Sequence, residues 1–133
     1  MKAHIPHPQV HGVFLALVFE PDYPETPFTA YLINQNQQAL KNAMVVSYGY
    51  GDFKGEKIQT STLRHFYEII DPVGVQRIEP ISAEAFGLTN EYWVSYFIEN
   101  QIYDKKFIVL PGTTEMGLER ELPILGQRGI LIG

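Results

Sequence analysis

The stretch "EYWVSYFIENQIYDKKFIVL", Glu91–Leu110, decides the fold. On its first arm Tyr92, Val94, Tyr96 and Ile98 alternate with Trp93, Ser95 and Phe97. "ENQ" turns the chain, and "IYDKKFIVL" returns to Pro111. Both arms are rich in aromatic and β-branched residues, which suit a pleated surface. Two such runs around a short polar turn predict an antiparallel hairpin.

Working outward, the same pattern recurs. Val13–Phe19 is a compact apolar run ended by Pro21, with Pro24 and Pro27 behind it. Its length and its bounding prolines predict a buried strand, not a helix, and it is too short to span a bilayer. No small-residue cleavage site follows, so it is read as a strand rather than a signal peptide. "PFTAYLIN", Pro27–Asn34, predicts a second strand with Phe28, Ala30, Leu32 and Asn34 on one face. The polar "NQNQQ" turn leads to a third strand, "LKNAMVVSYGY", in which Met44, Val46 and Tyr48 alternate with Val45 and Ser47. Strand is expected to resume after Gly55 and run through Thr62. Leu63, Phe66, Tyr67 and Ile70 also fit helical spacing, so that segment is ambiguous. "DPVG", Asp71–Gly74, is a turn signal, and "VQRIEPI" a short strand closed by Pro80. Ser82 and Gly87 bracket a single helical turn. At the C-terminal end Leu118, Leu122 and Leu125 are interrupted by Pro123, before an apolar finish. These short strands predict an all-β fold: a single-domain antiparallel β-sandwich or partly open barrel with little helix. Residues 1–11 are expected to form an N-terminal arm and residues 112–133 a C-terminal strand or arm.

The segment "SYGYGDFKGEK", Ser47–Lys57, raises a different question, because glycines and lysines can cradle a phosphate. A P-loop needs G-x-x-x-x-G-K-[ST] between strand and helix. Here Gly49 and Gly55 are six apart, and Glu56 follows Gly55. A dinucleotide fingerprint needs its third glycine one residue earlier and a helix after it. Asp52 would also repel phosphate. The segment is therefore read as a hairpin connection in which Gly49, Gly51 and Gly55 permit turn or bulge geometry.

Composition narrows the chemistry further. A chain of 133 residues can bury a core without staples. The formal charge of −5 disfavours non-specific nucleic-acid binding, which depends on clustered Lys and Arg. No cysteine is present, which removes disulfides, thiolate nucleophiles and Cys-type metal sites and fits a reducing cytoplasm.

Two segments resemble the Smr-associated β-sandwich domain of bacterial Smr/MutS-family proteins. In Phe14–Leu40, Leu15-Ala16-Leu17 with Pro21 stand where that domain has "LAF-P", and Tyr31-Leu32-Ile33-Asn34 where it has "YLVN". Within Leu63–Ile81, Val75-Gln76-Arg77-Ile78 stand for its "VQ-I" strand. The family's "NDSNY" turn is "NQNQQ" here. The Smr domain and the small barrel that accompany this region in the family have no counterpart in these residues. The resemblance implies a β-sandwich in a bacterial cytoplasm with a role in association, and it implies no catalytic residue.

His4, His7 and His11 crowd the N-terminus, but Pro6 and Pro8 disfavour the helix that would align them, and no carboxylate lies close by. They are read as an exposed arm and no metal site is assigned. His65 could act as a general base if Glu68 or Asp71 oriented it. No serine sits in a G-x-S-x-G elbow. Glu119 and Glu121 lie on one side of an extended chain. For the aromatic set, core filling ranks first, a protein interface second and base stacking third. Tyr48, Tyr50, Phe53 and Trp93 are the candidate binding residues, since aromatics on an open sheet anchor protein interfaces. The expected function is a non-catalytic interaction or structural module, self-associating or binding another protein, with no cofactor and no membrane. The tail "LPILGQRGILI", Leu122–Ile132, is expected to cover a sheet edge of a second subunit. The alternatives are a small-ligand-binding or hydrolytic enzyme with a pocket at the sandwich mouth, and an accessory domain for nucleic-acid processing.

Overall fold

The computed structural model describes residues 8–133. Ten strands follow one another among these residues. They are β1 (Val13–Phe19), β2 (Phe28–Asn34), β3 (Leu40–Phe53), β4 (Glu56–Gln59) and β5 (Leu63–Ile70), then β6 (Gly74–Ile81), β7 (Thr89–Ile98), β8 (Gln101–Val109), β9 (Arg120–Glu121) and β10 (Arg128–Ile132). Short 3₁₀ turns over Ala83–Gly87 and Thr113–Glu115 are the helical elements of the described residues. No helix among these residues is long and apolar enough to cross a membrane.

The strands form two antiparallel sheets. The first has the order β6-β2-β1-β10-β9. In the second, β4-β3-β7-β8 run side by side, and β5 pairs with β3 below β4. The fold is therefore an all-β sandwich. Between the sheets lie Leu15, Leu17, Ala30 and Leu32 from the first and Val45, Tyr92, Val94 and Phe107 from the second. This is the alternation expected of aligned sheets that share one core.

The run Val13–Phe19 is continuously apolar because β1 is covered on both faces. Val13, Leu15 and Leu17 face the other sheet. Ala16 and Val18 face outward, where Leu122 and Leu125 of the C-terminal segment pack over them with Ile33. Asn34 ends β2 fully buried, and its side-chain amide donates to the carbonyls of Gln38 and Asp71 at 2.9 and 3.0 Å. One amide thus holds two turns, satisfying carbonyls that would otherwise be stranded.

Several expectations are corrected. Gly49 and Gly51 do not form a connection; β3 continues through both to Phe53. The turn is Lys54-Gly55, with φ of 52° and 81°, the double left-handed pattern of a two-residue hairpin loop. Gly49 is instead a site of close approach. A Cβ there would lie 2.8 Å from Asn90 Oδ1, because Asn90 packs against the backbone. Strand does not run through Thr62. It stops at Gln59, where Thr60 takes over: its N–H donates to the Gly49 carbonyl at 2.8 Å and its hydroxyl accepts the Gly49 N–H at 2.7 Å. Leu63–Ile70 is strand, since β3 offers a hydrogen-bonding edge and Ile69-Ile70 favour it.

Pro80 does not close β6; the strand reaches Ile81. β6 is the edge of its sheet, the position where a missing N–H is tolerated. Ser82 precedes the 3₁₀ turn without making a side-chain cap. The C-terminal tail, expected to cover a sheet edge of a second subunit, adds strands to the chain's own sheet. β10 lies between β1 and β9 in the chain's own sheet, with Leu17 opposite Ile130. Residues 1–7 of the expected N-terminal arm lie outside the described residues, and Val10 packs against the core.

Candidate functional site

Two places concentrate polar and aromatic chemistry. The first is a groove of about 410 Å³ at the open mouth between the sheets. At its floor lies Glu79, on β6. The β2–β6 register shifts between Ala30 and Tyr31, so that Ala30 faces Glu79 and Tyr31 faces Arg77. Ile78 is the extra residue of this bulge, and it is buried in the core. The bulge thus places two consecutive side chains, Ile78 and Glu79, on the inner side of one strand.

Three donors from the other sheet converge on the Glu79 carboxylate. Oε1 accepts from Ser47 Oγ of β3 at 2.9 Å and from His65 Nε2 of β5 at 2.7 Å. Oε2 accepts from the Tyr92 hydroxyl of β7 at 3.2 Å. The Glu79 and His65 side chains are 14% and 25% exposed, while Ser47 and Tyr92 are buried. Burial, with the charge and hydrogen bond of Glu79 added, pushes the Tyr92 hydroxyl far above the ordinary phenol range. Tyr92 therefore remains a donor at any pH the fold meets. Burial and the Glu79 charge likewise raise the Tyr67 hydroxyl, against the opposing charge of Arg77. The His65 and Tyr67 rings stack, 6.4 Å apart and 7° from parallel.

The carboxylate that meets His65 is Glu79, not Glu68 or Asp71. On β5, Leu63, His65 and Tyr67 pair with Ser47, Val45 and Ala43, whose side chains face the core. This carries His65 to the mouth and away from Glu68, which is exposed. Ser47 donates to the carboxylate, not to the imidazole. The arrangement lacks the nucleophile–base contact that acyl transfer requires. It is a carboxylate held in place by three donors.

The second place is the outer face of the second sheet. The cross-strand rows put Arg64, Val46, Trp93 and Lys106 in one line and Phe66, Met44, Ser95 and Asp104 in the next. Tyr48, Glu91 and Ile108 form a third. Tyr48, Tyr50 and Trp93 thus share one outward face around Glu91. Phe53 ends the same strand. Trp93 is 45% exposed and Phe66 59%, with Met44, Tyr50, Ile102 and Ile108 also exposed. Glu91 is buried within this face by its neighbours, and Lys106 Nζ pairs with it at 3.0 Å. The same ammonium lies 5.0 Å from the centre of the Trp93 ring. Burial alone would raise the Glu91 carboxyl. Hydrogen bonds from Tyr48 and Lys106, together with the Lys106 charge and a bond from Tyr50, outweigh it and hold the group below its ordinary value. In turn the bond to Glu91 lifts the Tyr48 hydroxyl and the Lys106 ammonium.

Of the remaining candidates, His4 and His7 lie outside the described residues, and His11 is exposed. Among the described residues no group of three His, Asp or Glu side chains is placed to hold a metal. Glu119 pairs loosely with Arg128, at 3.8 Å. Comparison of the sequence with known proteins finds no matching family model and no matching curated protein.

Proposed function

We propose that the chain is a non-catalytic association module that pairs with a second copy of itself through the outer face of its second sheet. The observation that carries this reading is the contrast between the two outer faces. Leu122 and Leu125 cover the first sheet. Over the second sheet, Met44, Phe66, Trp93, Ile102 and Ile108 stand exposed in adjoining rows. Monomers rarely leave a contiguous apolar patch of more than a few hundred Å² open to water, and interface cores are enriched in Trp, Tyr and Met.

A second copy suits this face because of its charge. The molecule carries −5 overall, yet Arg64 and Lys106 here offset Glu91 and Asp104. Two such faces meet without the repulsion that the net charge would otherwise impose. The resemblance of the N-terminal half to Smr-associated domains supports a role in association as well. This route to self-association differs from tail exchange, since it leaves β10 in its own sheet.

Trp93 is the only tryptophan, so its emission reports directly on this face. Sedimentation equilibrium across a concentration series should show a dimer. Trp93 emission should move to shorter wavelength as the dimer forms. The double variant Phe66→Glu/Ile108→Lys should sediment as a folded monomer. A wild-type monomer at every concentration, with unchanged Trp93 emission, overturns the reading.

A further inference from the structure

We propose that the groove over Glu79 is a binding site for a primary ammonium group, carried by a small amine or by a peptide amino terminus. Its volume of about 410 Å³ falls in the range of small-ligand clefts. Among the described residues lining it, Glu79 is the one that is charged. A ligand entering the groove therefore meets a negative charge that no Lys or Arg of the wall competes for.

The geometry around the carboxylate narrows the class of cation. An ionised carboxylate offers about four acceptor positions. Oε1 already accepts from Ser47 and His65, while Oε2 accepts from Tyr92 alone. A guanidinium binds a carboxylate best through both oxygens at once, and Oε1 is filled. A single N–H donor directed at Oε2 fits the capacity that remains. Thr26, Ser61 and Ser82 also line the groove, and their hydroxyls supply acceptors for the other two N–H groups of an ammonium. His65 is not among the lining residues and holds Glu79 through Oε1. An imidazole can donate Nε2–H in its neutral form, so this bond does not require cancelling the carboxylate's charge.

The three fixed donors also mean that little side-chain freedom is lost when a ligand binds, which favours affinity from few contacts. Gly49, also in the lining, lets Asn90 pack close, since a Cβ there would lie 2.8 Å from Asn90 Oδ1.

The test uses the full chain, labelled with nitrogen-15 and followed by amide chemical shifts. Ethanolamine is titrated against ethylene glycol, and triglycine against N-acetyl-triglycine. An ammonium-bearing probe should shift the amides of Ser47, Gly49, Ser61 and Ser82 saturably, and its neutral counterpart should not. Tighter binding of ethanolamine assigns the source to a small amine, and tighter binding of triglycine to a peptide terminus. Glu79→Gln should weaken the bound probe by about tenfold or more, the scale of a charged hydrogen bond. Ser61→Lys, which tethers an ammonium at the rim, should block the probe. Phe66→Glu/Ile108→Lys should leave probe binding intact, which separates this site from the association face. Three results overturn the proposal: no saturable shift with either ammonium probe, equal binding of the neutral counterparts, or full affinity in a folded Glu79→Gln protein. If Glu79→Gln does not fold, unchanged affinity in Ser61→Lys overturns it.

Discussion

At the scale of single residues, the interior shows which polar atoms matter. The Tyr96 hydroxyl is buried without a hydrogen-bond partner among the described residues, while its ring stacks on Tyr103 at 5.4 Å. Burial, and to a lesser degree Tyr103, pushes this phenol well above its ordinary range. A hydroxyl left unpaired costs desolvation and returns nothing. Tyr96→Phe keeps the ring and should raise the unfolding free energy by about 1 kcal/mol in a denaturant titration. A clear loss of stability would show that the hydroxyl has a partner. Glu91 presents the opposite case, a buried carboxylate with several donors. Its folded-state value lies below the ordinary one, so its contribution is complete above the unfolded-state value. That contribution is lost as pH falls through the folded-state value. Stability should therefore decline as pH falls through and below the ordinary carboxylate range. Lys106→Met removes the ion pair and should flatten that decline. An identical slope in wild type and variant would refute the assignment.

At the scale of elements, β10 is the strand whose placement changes the most. Cutting the chain after Thr114 removes β9, β10 and the Leu122–Leu125 cover over Ala16, Val18 and Ile33. β1 would lose a hydrogen-bonded neighbour along Leu15–Val18. Such a truncation should give an unfolded or aggregated product by circular dichroism. A soluble, folded monomer would contradict this view of the tail. Burying Leu122 alone accounts for much of the effect: Leu122→Ala should cost about 2–5 kcal/mol. Strands with clear punctuation were legible in the sequence. Val13–Phe19 and the Tyr92–Val109 hairpin appear where their alternation and flanking prolines or polar turns put them. The turn at Gly49–Gly55 was not legible, because glycine marks close approach as readily as it marks turns, and Asn90 is forty-one residues away in sequence. Glu79 was hidden for a related reason. Strict alternation along "VQRIEPI" puts Ile78 inward and Glu79 outward, and only the bulge against Ala30 reverses the second. His65 was legible as a candidate, but its partner depended on the crossover from β5 to β6. The aromatic set Tyr48, Tyr50 and Trp93 was legible by type, and its common face followed from strand order.

At the scale of the whole molecule, the two layers are used differently. The first sheet has its own tail packed over Ala16, Val18 and Ile33 at the back. The second is packed on one side and carries an open aromatic face on the other. The two proposed sites thereby fall on separate surfaces, the back of one layer and the seam between the two. The seam has a mechanical meaning. Glu79 belongs to one layer, while Ser47, His65 and Tyr92 belong to the other. These bonds hold only while the layers keep their relative position, since each spans the gap within about 3 Å. The cluster therefore acts as a pin through two stacked plates. Sliding one plate by an atom's width shears every bond in it at once.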